Sequence, residues 1–273
     1  MGDKKMAFNS VNFNENLTTV NFYKTKLTAE SNPFMNNKNL ETFNIKDCKN
    51  IQYENGQLIQ NQNSERRVLS MTKKFDGKVS ASATMLLKHA GGGHSFEFSE
   101  LSFGENSNMK EIQNAVFANA ENLKKVVLPK SLENIAPDFA IKNLISEIVM
   151  EEGNIEFEVV NNTLVKGDTV VLGSKNSNLI GQPRIKKIGE AAFFGNSALE
   201  LDDIKRVLVD GIKEIGHQAF AGATSLKGEL DLSGIRFDKV GAYIFQNVAG
   251  GDVGFKVSNM NATESASDWD ERK

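Results

Sequence analysis

The residues of this chain that carry metal-binding chemistry concentrate in one short segment. His89 and His94 lie five positions apart, with Glu97 and Glu100 just beyond them, and imidazoles and carboxylates are common zinc ligands. Paired ligands usually come from one helix face or a tight hairpin, whereas Gly91-Gly92-Gly93 between the histidines fixes no geometry. A phosphate-binding loop would need a Gly-Lys-Ser/Thr ending or a spaced glycine pattern, and the sequence has neither. We therefore predict a loop between structural repeats, with no metal and no cofactor.

Residues with nucleophilic or acid–base chemistry are scattered along the chain. No local signature places a histidine beside Cys48, and a single thiol in a chain of this pattern is usually buried and inert. The acidic pairs Glu151-Glu152 and Asp202-Asp203 fall at expected strand exits and loops. His217 occupies a variable position of a repeat, where the previous copy carries Glu190, so we expect it to face solvent. We predict no catalytic residue and expect no enzyme activity.

Composition and charge exclude several classes of function. The chain has 273 residues, and 32 basic against 35 acidic side chains leave a net charge of −3. A net charge so small provides no long-range electrostatic attraction that would indicate binding to nucleic acid or to an anionic membrane. One cysteine rules out an intramolecular disulfide framework. No run of about 18 apolar residues would span a membrane, and the N-terminus has no signal-peptide core. We expect either a cytoplasmic protein or a chain that begins after a removed export signal.

One sequence unit recurs and organises the chain. Its clearest copies are Ile188–Phe193 and Ile215–Phe220, which both read Ile-Gly, two variable residues, then Ala-Phe. A leucine follows each copy six residues after the phenylalanine, and the copies are 27 residues apart. Looser copies are Ile112 to Phe117 with Leu123, Ile135 to Phe139 with Ile145, Val240 to Phe245, and Phe34 with Leu40. The interval from Phe139 to Phe193 is twice 27 residues, which leaves room for a hidden or replaced unit.

A short extended segment follows the phenylalanine and leucine of several copies. Its apolar residues fall at the first, fourth and sixth positions, as in Leu40–Ile45, Leu123–Leu128 and Ile145–Met150. The fourth and sixth residues share a face, as the period of two in a strand requires, and the first sits at the bend that enters it. Pro129 has no N–H to donate and is expected to end one of these strands.

A single unit of this kind buries too little apolar surface to fold alone. One phenylalanine and three or four aliphatic residues contribute about 1.5–3 kcal/mol each on burial. Ordering the backbone costs about 1–2 kcal/mol per residue. Stacking supplies the missing contacts, because each unit then packs on its neighbours and the strands add edge to edge. We therefore predict one aligned column of rings, made by Phe117, Phe139, Phe193, Phe220 and Phe245.

The Ile-Gly-x-x-Ala-Phe core, the leucine six residues on and the strand that follows resemble the BspA-like leucine-rich repeat family, also called treponemal-type leucine-rich repeats. The resemblance covers residues 109–248 well and residues 28–100 poorly. It implies an α/β fold, a leucine-rich-repeat solenoid with a parallel strand per repeat and β-hairpin inserts. The family occurs mostly in surface or secreted proteins that attach to host proteins or to other cells.

Two segments resemble the β-hairpin insert that this family often carries after a strand. The first is Ile51–Ile59 with the return strand Arg67–Met71, and Asn55-Gly56 between its arms is a favoured two-residue turn. The second lies near 155–172 and turns at Asn161-Asn162. These inserts account for the long interval before Phe193.

The predicted regions follow one another along the chain. They are an N-terminal tail or capping segment at 1–27, degenerate repeats with the first insert at 28–100, the solenoid with the second insert at 101–258, and an unpacked C-terminal tail at 259–273. Residues 78–100 fit either a helix or an eroded repeat with Thr84 at the phenylalanine position.

Binding is expected on the outward-facing residues of the strands, which form columns on a solenoid. These residues are Thr42, Asn44, Lys125, Val127, Glu147 and Val149. Mixed charge, small polar groups and valine suit a protein partner, although an ordinary solvated strand face explains them equally well. The hairpin inserts are a rival site.

Three functions are ranked on this basis. The first is a protein-recognition or adhesion module of a bacterial cell-surface or secreted protein, located outside the cell or on its surface. The second is a purely structural repeat spacer within a larger assembly. The third is an enzyme, for which the sequence offers no converging set of ionisable groups.

Overall fold

The structure is a computed structural model that describes residues 3–7, 10–248 and 253–256. The predicted tail at 259–273 lies outside the described residues. The chain divides into two compact units, and each is described by itself. Unit 1 comprises Met1–Asn143 and Val149–Glu156, and unit 2 comprises Leu144–Ile148 and Phe157–Lys273, both as far as they are described.

Unit 1 consists of short strands joined by turns. Its strands are β1 (Asp3–Lys5), β2 (Thr19–Tyr23), β3 (Lys26–Thr28), β4 (Thr42–Lys46), β5 (Ile51–Glu54), β6 (Gln57–Gln62), β7 (Glu65–Met71), β8 (Lys78–Val79), β9 (Met85–Leu86), β10 (Glu100–Phe103), β11 (Glu111–Ile112), β12 (Lys125–Leu128), β13 (Asn134–Ile135) and the second half of β14 (Glu147–Met150). As predicted, Pro129 directly follows β12.

The coils in the second half of unit 1 contribute strands to two parallel sheets. One sheet contains β8, β10 and β12, which align Ser102 with Lys78 and Glu100 with Lys125. The short strands β9, β11 and β13 stack side by side through Leu86, Ile112 and Ile135. The predicted leucine-rich-repeat solenoid with parallel strands is confirmed. Of these strands the sequence predicted β12, within Leu123–Leu128, but neither β8 and β10 nor the second sheet, which forms at the apolar residue that opens each repeat motif.

Both predicted hairpin inserts are present, and each carries a third strand. Strands β5, β6 and β7 form an antiparallel meander, and Asn55 and Gly56 turn its first hairpin with φ of 47° and 74°. Positive φ at both positions is the geometry of a tight hairpin turn, which asparagine and glycine tolerate. Strand β7 then pairs parallel with β9, so the insert extends the sheet of short strands.

Unit 2 repeats this arrangement. Its elements are β15 (Glu158–Val160), β16 (Thr163–Lys166), β17 (Thr169–Leu172), β18 (Lys187–Ile188), α1 (Leu201–Val207), β19 (Glu214–Ile215), β20 (Gly228–Asp231), β21 (Lys239–Val240) and β22 (Val253–Lys256). The meander β15-β16-β17 turns at Asn161 and Asn162, which have φ of 46° and 59°. It continues through β17 into the parallel strands β18, β19 and β21. The meander therefore takes the place of the repeat unit missing before Phe193.

The predicted aromatic column exists in unit 2. The rings of Phe193 and Phe220 stack with centroids 5.0 Å apart, and those of Phe220 and Phe245 with centroids 5.4 Å apart. The interplanar angles are 21° and 14°. The rings of successive repeats thus stack on one another, with Phe193 and Phe220 buried and Phe245 half-buried.

The prediction of one column containing all five rings is wrong in unit 1. Phe117 forms its backbone bridge with Ala140, because the copy from Ile135 to Phe139 is one residue shorter than the others. No ring contact joins Phe117 to Phe139 in the described part of this unit. The ring of Phe117 stacks on Phe75 at 6.2 Å. Phe96 and Phe98 meet it edge to face.

Residues 78–100 form a coil of the solenoid and no α-helix. Leu86 pairs with Ile112, so the position that corresponds to Phe117 is Gly91, and the prediction that Thr84 replaces the phenylalanine is wrong. A Cβ at Gly91 would lie 2.8 Å from Cδ1 of Phe117. A side chain there would therefore press on the aromatic cluster.

Residues 14–50 contain two coils that repeat at 23 residues; the sequence predicted the second, with Phe34 and Leu40–Ile45, and missed the first. All five residues of β2 pair in parallel with β4, from Thr19 opposite Thr42 to Tyr23 opposite Lys46. Their apolar residues pack with Phe34, whose ring lies 5.1 Å from Phe43. The boundary of the N-terminal segment near residue 27 stays a prediction.

The expectation that Asp202-Asp203 lies in a strand exit or loop is wrong. Both residues belong to the first turn of α1, where carboxylates stabilise the partial positive charge of a helix start. The Asp203 carboxylate accepts a hydrogen bond from the Glu200 N–H, and the Glu200 side chain accepts one from the Asp203 N–H. Glu151 follows β14 directly, as expected.

Candidate binding surface

The outward face of β8, β10 and β12 is the first candidate binding surface. Along β12, Val126 and Leu128 are buried while Lys125 and Val127 are partly exposed. Along β10 the same alternation buries Leu101 and Phe103 and leaves Glu100 and Ser102 outward. Because the strands are in register, the outward side chains form columns across the sheet.

An ion pair lies at one end of these columns. The Lys125 Nζ is 3.4 Å from a Glu100 carboxylate oxygen, and the two side chains are 35% and 47% exposed. Pairs this exposed contribute about 0–1 kcal/mol to stability. Glu100 and Lys125 are therefore available for intermolecular contacts at little cost to the fold.

The other predicted strand-face residues lie in different places. Val149 and Glu147 are both on β14, where Glu147 is exposed and Val149 is half-buried. Val149 belongs to unit 1 and Glu147 to unit 2. Thr42 and Asn44 lie on β4, which pairs with β2 in a separate two-stranded sheet. The structure thus places Lys125 and Val127 on one face, and Thr42 and Asn44 on another.

The glycine-rich segment is a constrained loop of unit 1. The Asn32 side chain donates hydrogen bonds to the carbonyl oxygens of His89 and Ala90, and Gly93 adopts a φ of 93° against the backbone of Asn36. His94 is buried, with 2% of its surface exposed. Burial lowers the pKa of His94 to about 4, so its imidazole is neutral at pH 7.

The remaining ionisable candidates stay apart from one another. Among the described residues, no group of three or more His, Cys, Asp or Glu side chains is placed to hold a metal ion. His217 is exposed, as predicted. Cys48 is half-buried, which corrects the expectation of a buried thiol, and its Sγ accepts a hydrogen bond from the Thr25 N–H at 3.4 Å.

A groove of about 810 Å³ lies beside the glycine-rich loop. Its walls include Lys38, Lys73 and Glu97, and Phe75 lies among its lining residues. Lys38 is ion-paired with Glu15 at 2.7 Å, and Lys73 with Glu41 at 2.5 Å. Both ammonium groups are therefore neutralised within the protein.

The repeat sequence decides the family. A family model for the BspA type leucine rich repeat region matches six copies over residues 93–164 and 167–261, more than half of the chain. The chain belongs to the BspA-type leucine-rich repeat family. The match includes the aromatic column of unit 2 and the strands β10 and β12 of the first candidate surface. The two coils nearest the N-terminus, with Thr42 and Asn44, precede the matched residues.

Solved structures of bacterial repeat proteins are similar to this BspA-type chain at low identity. The pneumococcal vaccine antigen PcpA is 16% identical over 93% of this chain and 65% of its own, with a TM-score of 0.44. A leucine rich cell surface protein from Faecalibacterium prausnitzii is 16% identical over 93% of this chain and 50% of its own, with a TM-score of 0.38. A leucine-rich repeat protein from Eubacterium ventriosum is 14% identical over 85% and 61%, with a TM-score of 0.40.

This BspA-type chain spans between half and just under two thirds of the length of those three structures. No curated protein sequence matches it significantly. Within the described residues, none of the helices has the length and apolar character needed to cross a lipid bilayer.

Proposed function

We propose that the chain is a non-catalytic recognition or adhesion module that binds a protein partner through its outward strand faces. Membership of a leucine-rich repeat family supports this proposal, because such domains generally mediate protein interactions. The observation that carries it is the alternation along β10 and β12, which presents Glu100, Lys125 and Val127 outward in register. A location on the bacterial cell surface or outside the cell is part of the same proposal.

The chemistry of this face suits a protein partner. The Val127 side chain offers apolar area beside the Lys125–Glu100 pair, so a partner would meet an apolar centre with charges at its margin. Stable protein interfaces bury about 800 Å² on each side and have this arrangement of apolar core and polar rim. Val149 of β14, which belongs to the same unit, is proposed as a further contact, whereas Glu147, Thr42 and Asn44 lie apart from this face and stay predictions.

Probing an array of purified extracellular proteins with the labelled chain tests the proposal. We expect at least one partner whose binding weakens tenfold or more in Val127→Lys, because the new ammonium group must be desolvated in the interface. The matched control is Asn134→Lys, which adds the same charge at the exposed residue of β13 in the sheet of short strands. Equal binding by both variants would exclude this face, and no partner at all would favour the structural spacer.

A further inference from the structure

The two-stranded sheet of β2 and β4 presents a second outward surface, which we call the Tyr23 face. It consists of Thr19, Asn21 and Tyr23 on β2 and of Thr42, Asn44 and Lys46 on β4. These residues alternate with Phe22 and Phe43, which are buried in the core of unit 1. The Asn44 side-chain amide donates a hydrogen bond of 2.8 Å to the Asn21 side chain, which fixes both amides on the surface.

Two lysine side chains gather at one ring on this face. The Lys24 Nζ lies 5.0 Å from the centroid of the Tyr23 ring, and the Lys46 Nζ lies 5.7 Å from it. The ring itself is on the surface, with 56% of Tyr23 exposed. Each ammonium is attracted to the ring, while the two repel each other. An anion placed between them would relieve that repulsion.

The charges of Lys24 and Lys46 are not neutralised within the described part of the chain. No carboxylate there forms an ion pair with either ammonium group. The lysines of the groove beside the glycine-rich loop differ, because Lys38 and Lys73 are each paired with a glutamate. In the described part of the chain, the Tyr23 face therefore presents two positive charges that form no ion pair. Both lie beside the ring of Tyr23, and the pairing of β2 with β4 brings Lys46 to that ring.

The backbone beneath these lysines is fixed. Lys24 adopts a φ of 45°, in the left-handed region, and its N–H donates to the Lys46 carbonyl oxygen at 3.0 Å. The next turn is tied across the coils as well, since the Asn50 side chain accepts from the Leu27 N–H at 3.1 Å. The backbone of both lysines is thus already ordered when a ligand arrives, so binding restricts only their side chains.

We propose that the Tyr23 face binds an acidic oligosaccharide. Its carboxylate or sulfate groups would meet Lys24 and Lys46, and its hydroxyls would exchange hydrogen bonds with Asn21, Asn44 and the threonines. A protein partner fits this face less well, because the six residues include one aromatic ring and no aliphatic side chain. Protein interfaces depend on a desolvated apolar centre, which the Tyr23 face does not supply. This ligand goes beyond the protein recognition proposed for β10 and β12.

Titration calorimetry with four defined probes tests the proposal on the full chain. Heparin oligosaccharide carries sulfates, oligogalacturonate carries carboxylates, dextran oligosaccharide is neutral, and oligoglutamate is an acidic peptide. We expect binding of heparin oligosaccharide or oligogalacturonate that weakens as salt rises from 50 to 500 mM, roughly as screening of exposed charges predicts. We expect no binding of dextran and weaker binding of oligoglutamate.

Variants locate the binding on the molecule. The double variant Lys24→Gln/Lys46→Gln should weaken acidic-sugar binding at least tenfold, and Asn44→Ala should weaken it severalfold. The control Lys110→Gln/Lys38→Gln removes two exposed lysines that are already paired with Glu133 and Glu15, and should bind as the parent does. All three variants are on the surface, so thermal midpoints should stay unchanged.

Three results would overturn the proposal. One is the absence of binding by both acidic sugars at millimolar concentration. Another is an equal loss of binding in the control variant, which would show attraction to net charge alone. The third is oligoglutamate binding as tightly as the acidic sugars, which would assign the face to an acidic peptide. None of these results bears on partner binding at Val127, so the two proposals fail separately.

Discussion

Replacing Phe220 with alanine tests the aromatic column of unit 2 most sharply. The Phe220 side chain is completely buried and lies between the rings of Phe193 and Phe245. Phenylalanine-to-alanine changes at buried sites cost about 3–5 kcal/mol, because they remove apolar contacts and leave a cavity. Two stacked neighbours contribute about 0.5–1.5 kcal/mol each beyond their buried area. We therefore expect a loss near the upper end, about 4–5 kcal/mol.

Urea unfolding monitored by circular dichroism measures this loss. Two aromatic controls define the scale. Phe245→Ala removes a half-buried ring, so we expect about half the loss. Tyr23→Ala removes an exposed ring and should cost about 0.5 kcal/mol or less.

The effect should also spread along the repeats. Coils of a solenoid gain stability from their neighbours, so native-state hydrogen exchange should accelerate at β18 and β21 as well as at β19. A loss under about 1.5 kcal/mol for Phe220→Ala, or faster exchange confined to β19, would refute the reasoning that stacked rings couple the coils.

Two further predictions concern the loops that frame the columns. Gly173→Ala should destabilise the chain by about 1–3 kcal/mol in urea unfolding, because a Cβ there would overlap the ring of Phe193. The control Gly234→Ala, with open space around the residue, should be nearly neutral. Equal losses of stability in the two variants would contradict this packing. The stability of the parent should fall as pH drops from 6.5 towards 4, because the unfolded chain protonates His94 near its ordinary pKa of 6.5 while the folded chain resists protonation until about pH 4. The fall in stability attributable to His94 is about 3 kcal/mol at most, at about 1.4 kcal/mol per pKa unit. His94→Gln should therefore flatten the plot of stability against pH between pH 6.5 and 4.5. An unchanged slope in this variant would show that His94 does not cause the fall.

The sequence predicts the repeats of unit 2 well because two successive copies carry the same buried residue types at the same positions. Ile188–Phe193 and Ile215–Phe220 have identical spacing, and identical spacing puts equivalent residues in register on stacked coils. The hairpin turn at Asn55-Gly56 was predictable for a similar reason, since its backbone demands residues that tolerate positive φ. Local rules of this kind need no knowledge of distant contacts.

Unit 1 was harder to predict because its aromatic packing does not follow the motif. Gly91 stands at the position equivalent to Phe117, which the sequence analysis assigned to Thr84. Rings from Phe75, Phe96 and Phe98 surround Phe117 from outside the repeat pattern. The first coil was not predicted because Val11 stands 23 residues before Phe34, so this coil lacks the phenylalanine that marks the other copies. One signal was present, since Leu17–Phe22 has the same apolar spacing as Leu40–Ile45.

The candidate surfaces were predictable only in part. Alternation along a strand shows that Lys125 and Val127 share a face, and the register of β10 brings Glu100 beside Lys125. The Tyr23 face depends on Lys46, which meets Tyr23 only because β2 and β4 align with an offset of 23 residues. That register follows from coil stacking, which the sequence motif did not reveal in this region.

Photo-crosslinking from the outward face of β12 tests the central claim of protein recognition most directly. Benzoylphenylalanine placed at Val127, or at Asn134 as the control, is irradiated in the presence of a protein partner identified from the array. We predict a cross-linked product from position 127 and little or none from position 134. Cross-linking from position 134 alone would contradict recognition through the strand face.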